Sequence, residues 1–268
     1  AAGCAAHSDH GRTVAQTFVA MAQGKAKNYA IKDEGKLRKI ARYYGVEQEG
    51  KTAQQLALAV GEKAVSQWGQ QEGELAMMLR APEKRVQLWR KLGVMTRGID
   101  REIVECMHRT HMGTDADYRS LLRQGIRTSL GDGWGGSMIA TELQDIMLGS
   151  PRPIRAKVNL GVLSKEKVNV VVHGHDPLLS EMLVEASREP EMLKLAEEKG
   201  AKGIQLAGIC CTANEVLMRQ GVPSAGTFLQ QELAMLTGAV EAMVVDMQCI
   251  MPGLQDVAEK FHTKLIST

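Results

Sequence analysis

The chain has 268 residues, of which 44% are hydrophobic and 24% charged, and 33 basic and 31 acidic side chains leave a formal net charge of +2. This composition is typical of a folded globular protein long enough for two modest domains, and it excludes disordered, collagen-like and disulfide-stapled secreted chains. The sequence contains no uncharged apolar run of the roughly 20 residues that a membrane-spanning helix needs. With aromatic residues at only 4%, the balanced charge gives little support for nucleic-acid binding.

Residues 1–150 are predicted to form a helical domain. Apolar residues recur at helical spacing in seven segments, residues 13–22, 37–41, 53–68, 82–89 (with Pro82 in the first turn), 100–111, 117–129 and 138–147. Between the last two lies the glycine-rich stretch 131–136, which predicts a loop with a tight turn, and Ser137 is expected to cap the helix that follows. The Gly-Ser-Pro-Arg-Pro segment at 149–153 predicts the domain boundary.

Residues 151–268 follow a different pattern, in which strands and helices alternate. Strands are predicted at 168–172, 203–209 and 242–246, and helices at 178–199, 213–220, 230–237 and 254–264. This order predicts a parallel sheet with right-handed crossovers, that is, a Rossmann-like α/β domain. The predicted fold class is therefore mixed: an N-terminal helical domain, 1–150, followed by a Rossmann-like parallel-sheet domain, 151–268. The residues at both ends of the chain suggest a fragment of a longer polypeptide.

Metal-binding residue types follow each of the three predicted strands. His175 follows the first strand, Cys210 and Cys211 the second, and Cys249 the third. Because ligands bind at the carboxyl edge of parallel sheets, these side chains are expected to converge there. Imidazole with thiolates suits zinc, iron or nickel, and thiolates suit iron–sulfur clusters.

Two other interpretations of these residues remain open. A buried free cysteine is often only a small hydrophobic side chain, so the domain could be a non-catalytic structural module. A His-Cys-Cys set could also hold zinc or iron in a protein without redox activity. The metal content of the protein separates these hypotheses. A structural module would bind no metal, and the identity of a bound metal distinguishes a zinc or iron site without redox activity from an iron–sulfur cluster.

Several long motifs resemble those of the anaerobic nickel–iron carbon monoxide dehydrogenases. They are VHGHDPLLSE at 172–181, GICCTANEVLMR at 208–219 and DMQCIMP at 246–252, together with AAHSDHGR at 5–12 and the segments 108–110 and 131–138. The resemblance extends over essentially the whole chain, and it is closer than the similarity to the related hybrid-cluster proteins. It implies an enzyme that interconverts CO and water with CO2, two protons and two electrons at a nickel–iron–sulfur cluster, the C-cluster.

The resemblance also implies roles for individual residues. His175 and Cys211 would hold the iron outside the cubane, and Cys249 would hold one iron within it; Cys210 would have no ligand role. His7 would lie beside the substrate as acid–base and hydrogen-bond donor, with His10 next outward. Two further family histidines are replaced here by Thr13 and Gln16, which leaves that proton route in question.

Several parts of the family's enzyme are missing from residues 1–268. The remaining C-cluster ligands would come from a second, C-terminal Rossmann-like domain, and the [4Fe–4S] relay clusters use N-terminal cysteines, of which Cys4 alone is no substitute. We therefore expect this chain alone to be inactive. The partners implied are a ferredoxin-like electron acceptor, a second copy in a homodimer and an acetyl-CoA synthase subunit, in an oxygen-free cytoplasm, without nucleic acid or membrane.

Overall fold

The computed structural model describes the backbone of residues 2–247 and 249–268, with side chains from His7 onward except at 248. It divides into two compact units, residues 1–150 and 151–268. The first unit is entirely helical. Its α-helices are α1 (Ala2–Ala22), α2 (Glu34–Tyr43), α3 (Ala53–Gly69), α4 (Glu83–Leu92), α5 (Ile99–Arg109), α6 (Tyr118–Gly131) and α7 (Met138–Leu148).

Helix starts in the first unit follow from local side-chain chemistry. Thr52 accepts the Gln55 backbone N–H while the Gln55 side chain returns to the Thr52 N–H, forming a capping box before α3. Asp33 and Asp117 cap α2 and α6 in the same way, each accepting a backbone N–H with a side-chain oxygen. Each cap satisfies amide hydrogens that have no partner within the helix.

The glycine-rich segment is helical, so the predicted loop is wrong. A π-helix, Asp132–Ser137, joins α6 directly to α7. A Cβ on Gly136 would lie 2.8 Å from Cα of Ser8, and one on Gly11 would lie 2.5 Å from the Gly136 carbonyl oxygen. The glycines therefore serve close approach between this segment and α1, as the sequence suggested, but without a turn. The predicted cap at Ser137 is also wrong, because its backbone is helical and its side chain caps nothing.

A cluster of buried charges links three elements of the first unit. Glu142 on α7 pairs with Lys36 on α2 at 2.6 Å and with Arg80, which follows α3 in a short 3-10 helix. Lys36 also reaches Asp145 at 2.9 Å. Burial raises the pKa of Glu142, but hydrogen bonds from Lys36 and Arg80 outweigh it and hold that pKa below its usual value.

The second unit is a five-stranded sheet, which confirms the predicted α/β class. The strands are β1 (Val168–Gly174), β2 (Ile204–Ile209), β3 (Ser224–Gly226), β4 (Ala242–Val245) and β5 (Lys264–Ser267). Every pairing is parallel and the order is β3-β2-β1-β4-β5. The helices are α8 (Pro177–Ser187), α9 (Pro190–Glu198), α10 (Cys210–Gln220), α11 (Gln231–Leu236) and α12 (Leu254–Ala258).

The helices of this unit are shorter than predicted. The pattern at 178–199 is two helices, because Pro190 begins a new one at its first turn. Apolar side chains cover both faces of the sheet, one with Val171 and Met243, the other with Val172 and Leu206. This double burial explains the continuous β-branched run of β1. None of the helices in the described part of the chain is both long and apolar enough to cross a membrane.

Candidate metal centre and acid–base site

The candidate ligands lie at the carboxyl edge of the sheet, around its central strand. β1 pairs with β2 on one side and with β4 on the other. The chain runs from β1 outward to β2 and β3, then returns to place β4 on the opposite side of β1. That reversal of strand order is the switch point where open α/β sheets bind ligands. His175, Cys211 and Cys249 follow these three neighbouring strands.

Asp246 organises the turn that carries His175. One carboxylate oxygen accepts the His175 backbone N–H at 2.6 Å, and the other accepts the Asp176 N–H at 3.1 Å and the Thr212 hydroxyl at 3.2 Å. Gly174 makes this possible, because at φ +137° a Cβ would lie 1.9 Å from the Asp246 oxygen. Burial raises the pKa of Asp246 to about 6, against the three hydrogen bonds that favour its charged form.

Two of the cysteines have left-handed backbone conformations. Cys210 has φ 67° and Cys249 has φ 58°, and among the described residues no other non-glycine has positive φ. Such strain persists only where the surroundings impose it, and it concentrates at functional sites. Cys211 and Cys249 are exposed, whereas Cys210 is half-buried against the apolar core.

The thiols lie close enough to influence one another. Cys210 hydrogen-bonds with Cys249, and burial, followed by the neighbouring Cys249 and Cys211, raises the pKa of Cys210 to about 12. Burial and the charges of Cys249, Glu215 and Asp246 also raise the pKa of Cys211. A bound cation reverses this situation, since coordination deprotonates a thiol.

We tested these donors against a nickel–iron–sulfur cluster. Among the described residues, no three His, Cys, Asp or Glu side chains meet closely enough to hold one metal ion. An iron–sulfur cluster distributes its protein ligands over several metal ions, so those ligands need not all meet at one point. Two exposed thiols and a half-buried histidine on adjacent strand ends fit part of such a ligand set.

His173, two residues before His175, is buried and bonds to a glutamine on α11. Its Nε2 lies 3.0 Å from Oε1 of Gln231, and that oxygen also accepts the Met251 backbone N–H at 3.1 Å. Burial lowers the pKa of His173, so the neutral ring is favoured. Nothing in the sequence singled out Gln231.

His7 lies in the first unit, on α1, and is 7% exposed. Its Nδ1 is 2.8 Å from an Asp132 carboxylate oxygen and 2.8 Å from the Ser137 hydroxyl. Both partners come from the π-helix, a conformation that is frequent at functional sites. The sequence does not single out Asp132, because the glycine-rich segment around it is predicted to be a loop.

The other positions on α1 named in the sequence analysis differ in exposure. His10 is half-buried, and Thr13 and Gln16 are exposed. The Thr13 hydroxyl donates to the Asp9 carbonyl of its own helix at 3.3 Å. The side chain of Cys4 lies outside the described residues.

Comparisons with known proteins identify the family. The model of the Prismane/CO dehydrogenase family matches residues 1–268. Carbon monoxide dehydrogenase 1 of Methanosarcina acetivorans is 61% identical over all of this chain. The carbon monoxide dehydrogenase/acetyl-CoA synthase subunit beta of Moorella thermoacetica is 47% identical over 99% of it.

A solved structure gives the same result for the fold. The Ni-free carbon monoxide dehydrogenase of Thermococcus sp. AM4 superposes with a TM-score of 0.93 at 53% identity, and the match covers 100% of this chain and 42% of that one. The chain spans 43% and 40% of the length of the Methanosarcina and Moorella relatives, so the predicted fragment is confirmed. The resemblance carried by the motifs is confirmed too: this chain belongs to the Prismane/CO dehydrogenase family.

Proposed function

We propose that residues 1–268 are part of the catalytic subunit of an anaerobic carbon monoxide dehydrogenase. The longer protein would oxidise CO with water, reversibly, to CO2, two protons and two electrons. The observation that carries this proposal is the placement of His175, Cys211 and Cys249 on three neighbouring strand ends at the switch point, in a chain that matches the family throughout. Within this proposal, residues 1–150 are the helical domain and 151–268 the Rossmann-like domain.

The residues on the sheet edge would hold part of the C-cluster. His175 and Cys211 would bind the iron outside the cubane, and Cys249 an iron within it. When bound, the cluster supplies a two-electron redox centre and a Lewis acid for water. The rest of its ligands, and the [4Fe–4S] relay clusters, would come from the remainder of the longer polypeptide, so this chain alone would be inactive.

His7 and His10 would handle the protons of the reaction. The contact between Nδ1 of His7 and an Asp132 carboxylate oxygen would orient the ring, and Nε2, which lies 3.2 Å from the Ser137 hydroxyl, would be the atom that exchanges a proton. His10, one helical turn further along α1, would pass the proton outward. Since Thr13 bonds to its own helix backbone, we assign it no part in this transfer.

The partners of the longer protein also remain part of the proposal. We infer a homodimer that transfers electrons to a ferredoxin-like acceptor in an oxygen-free cytoplasm. The name of the Moorella relative includes an acetyl-CoA synthase, which supports such a subunit as a further partner.

Elemental analysis with a CO-oxidation assay tests the proposal. The complete protein should be purified without oxygen as wild type, Cys211→Ala and Cys106→Ala. The control residue, Cys106, is half-buried on α5 in the other unit. We expect nickel, iron and sulfide with CO-dependent dye reduction in wild type and Cys106→Ala, and loss of activity in Cys211→Ala. Zinc alone, or no metal and no CO-dependent reduction in wild type, contradicts the proposal.

A further inference from the structure

The loop that carries Cys249 is held at one end by His173 of the central strand and at the other by Gln231, which bonds the His173 ring. At its start, the Asp246 N–H donates to the His173 carbonyl at 3.1 Å. At its end, the Met251 N–H donates to Gln231, whose same oxygen bonds the His173 ring. Between these points Cys249 adopts its left-handed conformation. The backbone of His173 thus holds the start of the loop, and its ring acts on the end of the loop through Gln231.

The hydrogen-bond partners of Gln231 and His173 define the orientation of both side chains. The Gln231 amide nitrogen donates to the Phe228 carbonyl at 2.8 Å, so its oxygen faces Met251 and His173. An amide oxygen only accepts, which requires His173 to carry its proton on Nε2. Gln231 is 0% exposed and His173 1% exposed, so water cannot replace either partner.

A purely structural role would not call for polar groups here. The surrounding core contains Val171, Ile209, Ala234 and Met235, and apolar side chains of similar volume would fill the same space. A buried polar pair instead fixes the relative orientation of its two groups, because they lose a hydrogen bond if they move. The hydrogen bonds of His173 and Gln231 therefore set the orientation of the Cys249 loop relative to β1, the strand that leads to His175.

We propose that His173 and Gln231 are positioning residues that fix the Cys249 loop for cluster binding and link its geometry to that of His175. This inference rests on the proposed function, in which Cys249 and His175 are cluster ligands. Neither positioning residue touches substrate; they act through the backbone of the ligand loop.

Amide hydrogen exchange of the complete, anaerobically purified protein tests the anchor directly. Gln231→Leu removes the oxygen that holds Met251, and we expect exchange at this amide to rise about tenfold or more. Gln231→Glu keeps an acceptor oxygen for both N–H donors, and its buried carboxyl, in the neutral form, would donate to the Phe228 carbonyl, so exchange should stay within about threefold of wild type. Gln205→Leu is the matched control, since Gln205 is the second residue of β2, at the opposite edge of the sheet, and its loss should leave Met251 unchanged.

The electron paramagnetic resonance spectrum of the reduced protein is the second readout. The cluster signal should shift or weaken in Gln231→Leu and remain as in wild type in Gln231→Glu and Gln205→Leu. Should Gln231→Leu fail to fold, His173→Phe deletes one donor at nearly constant ring volume and should raise Met251 exchange about threefold.

Two results overturn the anchor: Met251 exchange in Gln231→Leu equal to wild type, or a change of exchange and spectrum no larger than in Gln205→Leu. Protein that lacks iron and sulfide would instead overturn the proposed function, whatever the exchange rates. The two failures are therefore distinguishable.

Discussion

In residues 1–150 the candidate acid–base His7 sits in the body of a helix, and its partners Asp132 and Ser137 come from another helical segment packed against it. In residues 151–268 the candidate ligands sit just beyond strand ends, in loops whose backbone N–H groups donate to the side chains of Asp246, after β4, and Gln231, on α11. The first arrangement depends on close helix contact through glycines. The second depends on buried polar side chains, so the two units should respond differently to substitution.

The largest effect should come from the sheet edge, at Gly174. Gly174→Ala places a Cβ 1.9 Å from Asp246 at φ +137°, and strain with overpacking should cost about 3–5 kcal/mol. Gly221→Ala is the matched control, since Gly221 has φ +73° with open space around it and should cost about 1 kcal/mol. Urea unfolding of both variants measures the difference in the free energy of unfolding. Equal losses of stability in the two variants would show that the Asp246 side chain can move away from the added Cβ without destabilising the chain.

The buried charges of the helical unit should give the next largest effect. Glu142→Gln leaves Lys36 and Arg80 without their carboxylate, which should cost about 3 kcal/mol at pH 7. The folded pKa of Glu142 lies below its usual value, so its contribution to stability is complete above the pKa of the unfolded chain and disappears as the pH falls through the folded pKa.

Urea midpoints measured from pH 7 down to pH 3 check this dependence. Wild type and Glu142→Gln should converge at the acid end. Glu34→Gln, which removes an exposed pair with Arg38 on α2, should differ from wild type by less than about 0.5 kcal/mol. A gap between wild type and Glu142→Gln that stays constant with pH would contradict the assignment.

The proposed acid–base pair should give an intermediate effect on catalysis by the complete protein. Asp132→Asn removes the charge beside Nδ1 of His7 and should lower kcat for CO oxidation about 30-fold with little change in KM. Asp9→Asn alters an exposed carboxylate on the same helix and should leave kcat within about twofold of wild type; equal effects would remove Asp132 from the proton chemistry.

The sequence predicted the sheet, its parallel order and the helical first unit, because β-branched runs and helical spacing are local signals. It could not predict β3, whose three residues, Ser-Ala-Gly, carry no strand pattern, although all three are buried. The His and Cys residues that follow three of the strands could be recognised in the sequence as candidate metal ligands. Asp246 and Gln231 were not, because their roles arise from strands and helices that meet only in the folded chain.

The glycine-rich segment shows the same limit in the helical unit. Glycine lowers helix propensity, so a local reading predicts a loop at 131–136. The structure places Gly135 against Ile99 and Leu75, and Gly136 against Ser8, where no Cβ fits. Contacts with distant residues thus decide this conformation, and Asp132 became a candidate only once the segment was seen to be helical.

The smallest expected effects concern two glycines of the π-helix, Gly133 and Gly136, which differ in the space around them. At Gly133 a Cβ would meet no atom within 4 Å, whereas at Gly136 it would meet Ser8 at 2.8 Å. Gly133→Ala should therefore stabilise the chain by about 0.5–1 kcal/mol through reduced backbone entropy of the unfolded state. Gly136→Ala should destabilise it by about 1–2 kcal/mol through overpacking. Urea unfolding of the two variants should give shifts of opposite sign; shifts of the same sign would mean that close contact with α1 is not what requires glycine here.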